Sequence, residues 1–450
     1  MFKKSTLSVC VASALLVLNL SACDGGSGGS SSHSESGQDS RTQYETTNPF
    51  DYIVSSDDPN APQWNQSLNN GTGGYEPKAE DSREVVVLDD TFKVDAGEEK
   101  HFENKIIYIR ATDDQIHKLV INGTLSFTNC LLLWDQNVEE QLPFYVTGLG
   151  QLTLTNSYAF SHTGSWIAWK FTGSSIVNLD HFQGTPWTTI TDQVEYSATN
   201  YSTVHMTILN ATNGASVKVD QSHSVWLEIY PMSGDSSIEL SKNNIWNDLN
   251  LDQMWANTTF DIEDSYIYEQ DIALRADVNL TVENATDGFG LGWEVSKDSF
   301  VGLSDENQCL FDGLGDPAGR GMGAVLEDKE WQCGNSSLHI VNSKILTAWP
   351  DLSDDVNLTV TNSYLVDPRM YGQNLSNVGT YTIKDSTAEA PMALTGGKMY
   401  LENVKILNTL NVNGANSLIQ GYKVTSFDPQ TPYTLNTSDG GVYQELTEAL

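Results

Sequence analysis

Three side chains able to move a proton or neutralise charge sit inside stretches of period-two alternation. Lys170 lies in Trp166-Ile167-Ala168-Trp169-Lys170-Phe171, Glu228 in Val225-Trp226-Leu227-Glu228-Ile229-Tyr230, and Arg275 in Ile272-Ala273-Leu274-Arg275. With Ile167, Trp169 and Phe171 facing inward, Trp166 and Lys170 face out; the same phase puts Trp226, Glu228 and Tyr230 outside, and Arg275 beyond Ile272 and Leu274. A cation beside a carboxylate on one flank is what a lyase or hydrolase needs to handle a charged sugar. Lys170, Glu228 and Arg275 are therefore the candidate catalytic residues. Trp187, Trp246 and Trp255 continue the aromatic series. Flat apolar rings next to hydrogen-bonding groups suit an elongated sugar polymer. Trp166, Trp187, Trp226, Tyr230 and Trp246 are accordingly the candidate carbohydrate-binding residues. The competing reading makes these rings lids over coil edges.

Other chemistry is less well supported. His162, His181, His205 and His223 fall in consecutive stretches but do not share a phase, which argues against one common site. Asp305, Glu306, Asp312, Asp316, Glu327 and Asp328 cluster in a Gly-rich segment, and Asp312 and Asp316 are the candidate ligands for Ca²⁺. No EF-hand or nonapeptide Ca²⁺ motif accompanies them, so Ca²⁺ is possible but no cofactor is required. Cys309 and Cys333 lie in the same segment and make a plausible disulfide. Cys130 stands where related segments carry Ser157, Ser265, Ser343 and Ser363, which suggests a small buried filler rather than a reactive thiol.

The 450 residues carry 23 Lys and Arg against 59 Asp and Glu, a net charge of −36. Nucleic-acid binding needs clustered cations, and this balance excludes it. A hydrophobic fraction of 39% is enough to fill a core.

The elements that must position these residues come from a repeat. Leu125-Ser126-Phe127-Thr128-Asn129-Cys130 returns as Leu152-Thr153-Leu154-Thr155-Asn156-Ser157, and again at segments ending in Asn210, Asp264, Asn284, Asn342, Asn362, Asp385 and Asn403, with a degenerate copy at Asp180. Alternation means strands. Strands recurring about every 20–30 residues, without intervening helices and with few Asn-Gly hairpin signals, mean stacked coils. The expected fold is an all-β, right-handed parallel β-helix over 85–427, with a long disulfide-pinned insertion at 285–337 and a tail at 428–450 that caps or frays. Each coil is expected to turn at the Asn, whose side chain tolerates the turn and bonds to the Asn one coil above.

On this alternation and its Asn corners, the chain resembles the pectate-lyase-like β-helix proteins. The resemblance is one of pattern, not of catalytic motif. Gly-His-Gly and Arg-Ile-Lys signatures of polygalacturonase-type hydrolases do not occur, nor does the Arg-x-Pro-x-x-Arg stretch of pectate lyases. Whether the chain is an enzyme is left open.

The first residues are similar to a bacterial lipoprotein signal. Lys3 and Lys4 precede an apolar run from Ser8 to Leu20, too short to span a bilayer, and Leu20-Ser21-Ala22-Cys23 looks like a lipobox. That resemblance implies cleavage of residues 1–22 and lipidation (palmitate among the acyl chains) of Cys23, with a Gly/Ser-rich tether over 23–40 and a loosely structured segment over 41–84. It places the protein in the cell envelope, at the outer membrane or cell surface; Asp24 leaves the inner membrane open. The resulting expectation is a surface-tethered β-helix lipoprotein that binds glycan or serves structurally. The alternative is a polysaccharide lyase or glycoside hydrolase acting on an acidic polysaccharide.

Overall fold

A computed structural model describes residues 74–200, 202–212, 214–229, 232–233, 236–241, 244–254, 259–263, 266–267, 270–274, 279–283, 286–287, 337–341, 344–347, 357–367, 369–370, 380–388 and 392–450. Asp305, Glu306, Cys309, Asp312, Asp316, Glu327, Asp328 and Cys333 lie outside them, as do Cys23, Tyr230, Trp255 and Arg275.

The expected parallel β-helix is observed. Strand stacks on strand with parallel register, the first coils passing in turn through three sheets. The first sheet runs Glu84–Asp89, Lys105–Arg110, Leu131–Asp135, Tyr158–Ser161 and Gln183–Gly184. The second runs Lys93–Val94, Leu119–Ile121, Phe144–Val146, Ala168–Phe171, Trp187–Asp192, Thr203–Thr212 and onward. The third runs Glu99–Glu103, Thr124–Thr128, Gln151–Thr155, Ile176–Asp180, Glu195–Thr199 and onward. The first sheet ends at Gln183–Gly184. Above it the strand Thr203–Thr212 takes over, bonding through Thr203 N to Phe182 O (2.8 Å) and continuing over Trp187 through His205.

The third sheet shows why the sequence folds this way. Leu125, Leu152, Val177, Tyr196, Val217, Ile238 and Phe260 occupy one register position, layer upon layer, and every one is buried. Phe127, Leu154, Leu179, Ala198, Val219, Leu240 and Ile262 do the same two residues on. The polar residues between them face solvent. No single layer has a core of its own; each buries its apolar face against the next. The ladder continues across the long insertion, because Asn279–Glu283 pairs directly with Ser337–Val341.

The corners after the third sheet carry the left-handed backbone that the repeat implied. Asn104, Asn129, Asn156, Asn200, Asn362, Asp385 and Asn403 all have φ near +50°. Three details differ from the expectation. The degenerate copy turns at His181 (φ 49°), one residue after Asp180, and two further corners are Gln221 and Lys423. Asn210 is no corner: it lies within Thr203–Thr212 on the second sheet, whose alternation imitates the repeat, and Asn200 turns that coil instead. The bonds between corners are chiefly main-chain. Asn104 N donates to Thr128 O, Asn129 N to Thr155 O, Asn156 N to Asp180 O, His181 N to Thr199 O and Asn403 N to Tyr422 O. A side-chain link of the expected kind joins Asn403 Nδ2 to Asp385 Oδ1 at 2.7 Å.

The small residue after each corner has its own ladder. Ser157 Oγ accepts from Cys130 N (3.1 Å) and donates to Thr155 O (2.8 Å); Ser386 Oγ does the same with Ser363 N (3.1 Å) and Lys384 O (2.6 Å). Cys130 fills this position, fully buried, with Sγ within 3.4 Å of Phe102 O and Thr128 O. Burial pushes its thiol pKa up, which keeps it protonated and inert. At the opposite corner, between the second and third sheets, a Cβ on Gly123 would meet Asp95 O at 2.3 Å and one on Gly150 would meet Ile121 O at 2.4 Å, so neither position admits a side chain. The last residues add two strands, Thr434–Ser438 and Val442–Glu445, both paired to Thr409–Tyr422.

Candidate functional site

The outward face of the second sheet gathers the candidate residues that the structure describes. Val120, Tyr145, Lys170 and Thr189 share one half-buried, outward register position, and the backbone alignment continues through Thr207, Glu228, Asn250 and Asp271. A neighbouring column runs Ala168, Trp187, His205, Trp226 and Asp248. Trp187, Lys170 and Thr189 are half-buried while the residues alternating with them, Trp169, Phe171 and Ile190, are core.

The aromatic expectation has a geometric counterpart. Trp166 and Trp187, both half-buried, stand with ring centroids 6.0 Å apart at 62°. Trp226 lies two register steps beyond Trp187, about 10 Å along the stack, with His205 between. Trp246 falls in the register irregularity between Ile245 and Asp248, so it does not extend the column. Two groups absent from the sequence-derived set complete the patch. Tyr145 presents its ring to Lys118 Nζ at 4.7 Å from the centroid and to Lys170 Nζ at 5.8 Å. Lys170 also reaches Glu140 Oε2 at 3.8 Å. A lysine held over an aromatic ring still presents hydrogen-bond donors to solvent.

The catalytic candidates are not brought together in the same way. Lys170 and Glu228 share a column, but their backbones are three steps apart, about 14 Å.

His162 and His181 lie on different parts of the coil, while His205 and His223 fall on adjacent paired strands of the second sheet. His162 packs edge-on against Tyr108 at 5.3 Å and bonds through Nδ1 to Tyr75 O (3.2 Å) outside the first sheet. His181 sits at a corner beside Asp180 (Nδ1 to Oδ1, 2.9 Å). His205 and His223 begin or lie within second-sheet strands.

The first sheet offers a contrasting outward surface. Ile106, Leu131, Leu133, Tyr158 and Phe160 form a second apolar cluster outside the coil, covered by Tyr75 and Tyr108. Tyr75 packs on Phe160 with ring centroids 5.1 Å apart and tilted by 33°, and donates its N–H to Ser161 O. Arg83 clamps the same entry segment, bonding Asp81 through Nε (2.9 Å) and Nη2 (2.5 Å) and the corner carbonyl of Asn129 through Nη1 (3.0 Å). The Arg83 guanidinium holds the Asp81 carboxyl below its ordinary range.

No protein-family model matches the chain, and no curated protein or solved structure matches it significantly. Among the described residues no helix is long and apolar enough to cross a membrane.

Proposed function

We propose that this protein is a lipid-anchored envelope β-helix that binds glycan without catalysis, through the second-sheet face running from Lys118 to Trp226. The observation that carries the reading is the Trp166–Trp187 ring pair standing next to Lys170 and Tyr145, in line with the backbone of Trp226. Aromatic residues at successive register positions along a stack of coils suit a linear polysaccharide better than a compact ligand. Lys118 and Lys170 are local cations on a chain of net charge −36, so acidic groups on the glycan would be met at this place and repelled elsewhere.

Affinity electrophoresis and glycan arrays test this. The protein should be retarded by at least one wall or envelope polysaccharide, and Trp187→Ala should abolish the retardation without changing the melting temperature. Wild-type protein that binds no glycan removes the reading.

The anchor is a separate part of the proposal, supported by Leu20-Ser21-Ala22-Cys23. Labelling with an alkynyl fatty acid should mark the wild-type chain and not Cys23→Ser. A polysaccharide lyase or hydrolase is the second reading, favoured by the two lysines flanking Tyr145. It predicts new ultraviolet absorbance from unsaturated ends, or new reducing ends, when uronic-acid polymers are supplied.

A further inference from the structure

One cluster of metal-ligating side chains lies away from the aromatic columns. Asp90 follows the strand Glu84–Asp89, and Asp113 and His117 lie in the link between Lys105–Arg110 and Leu119–Ile121, one layer above. His117 Nε2 is 2.8 Å from Asp113 Oδ1 and 3.8 Å from Asp90 Oδ2, and one donor atom from each of the three residues lies within 4.8 Å of the others. Donors that share one tetrahedral ion at 2.0–2.1 Å stand about 3.3 Å from one another. The observed separations bracket that value, so small side-chain adjustments would seat an ion.

The three groups are also held from behind. Thr112 donates both its N–H (2.9 Å) and its hydroxyl to Asp90 Oδ2. Gln115 N donates to Asp113 Oδ1 at 2.8 Å. Gln141, one layer further on, fixes the backbone on both sides: its side-chain amide donates to Asp113 O, and its carbonyl accepts from His117 N (2.9 Å). Supporting bonds of this kind orient metal ligands. The Asp90 side chain is only 6% exposed, and among the described residues its one ion-pair partner is His117. A carboxylate so placed is stabilised by any cation that enters between it and Asp113.

We propose that Asp90, Asp113 and His117 bind one divalent transition-metal ion, of the Zn²⁺ class, with water completing the coordination. One imidazole nitrogen with two carboxylate oxygens is a donor set that favours Zn²⁺ over Ca²⁺ or Mg²⁺, which prefer oxygen throughout. The site draws its ligands from two successive layers, so an ion there would also pin the first coil to the second. The proposal stands independently of glycan binding.

The test is isothermal titration of the full chain, stripped with EDTA, with ZnCl₂ and in parallel with CaCl₂. The wild type should take up Zn²⁺ at one saturable site. His117→Gln, which preserves a hydrogen-bonding side chain, and Asp113→Asn should each weaken that binding at least tenfold with unchanged circular dichroism. Co²⁺ should give visible d–d bands in the wild type that His117→Gln abolishes. Equal Zn²⁺ affinity in wild type and both variants would overturn the proposal, as would Ca²⁺ binding at this site as tight as Zn²⁺, or the absence of any saturable site.

Discussion

Trp134 and Trp169 make a matched pair for testing how the core is satisfied. Both are buried, at 0% and 1% exposure, and their rings lie 6.0 Å apart. Their indole N–H groups differ. Trp134 Nε1 donates to Leu142 O at 3.1 Å, whereas Trp169 Nε1 is buried without an acceptor. Replacing either with Phe removes the same atoms and leaves a similar void, so the packing cost is common to both. At Trp134 the change also deletes a buried hydrogen bond, worth about 0.5–1.5 kcal/mol net. At Trp169 it removes an unsatisfied donor, whose burial costs about 1–3 kcal/mol. Trp134→Phe should therefore be more destabilising than Trp169→Phe by about 2 kcal/mol or more. Urea unfolding of both variants against wild type, followed by circular dichroism, gives the difference. Because the rings touch, the double variant will not be additive. Trp169→Phe proving as costly as Trp134→Phe would refute the reasoning.

Further outcomes follow from corners, anchors and charge. Lys423 holds φ +53° without the help an Asn side chain gives, so Lys423→Asn should raise stability by up to about 1 kcal/mol, while Asn156→Val should lower it by about 1–2 kcal/mol; thermal melts measure both. Cys130→Ser should be nearly neutral in the same melts, since Ser157 and Ser386 already show the hydroxyl bonding that this position accepts. Asp81 has its carboxyl pKa depressed in the folded state by Arg83. Its stabilising contribution is complete above the unfolded value of about 3.9 and is lost as pH falls through the lower folded value. An acid titration of stability should therefore be flatter below pH 4 in Asp81→Asn than in wild type.

Much of the fold was legible because one pattern governs it. Leu125 and Phe127 alternate with Ser126 and Thr128, and the same alternation recurs often enough to exclude helices. Corners were legible where Asn or Asp marks them, as at Asn129, Asn156, Asn362 and Asp385. They were not at His181, Gln221 and Lys423, because the main-chain bonds between coils outweigh a residue's own reluctance to enter the left-handed region. Asn210 misled for the complementary reason: a second-sheet strand alternates like a third-sheet one. The outward positions of Trp166 and Lys170 followed from local alternation alone. Their neighbours did not. Tyr145 meets Lys170, and Asp90 meets Asp113 and His117, across layers whose lengths vary, and only the register between layers determines those meetings.

That register is the foundation of the whole account, and it has a direct measure. Ser126, Thr153, Asn178, Ser197, Lys218, Glu239 and Asp261 are successive partners on the outward side of the third sheet. Spin labels at Ser126→Cys and Asp261→Cys, in a chain whose five natural cysteines are replaced by Ser, should give a narrow dipolar distance centred on six strand spacings, about 29 Å, widened only by the label linkers. A broad distribution, or a centre displaced by two layers or more, would contradict it.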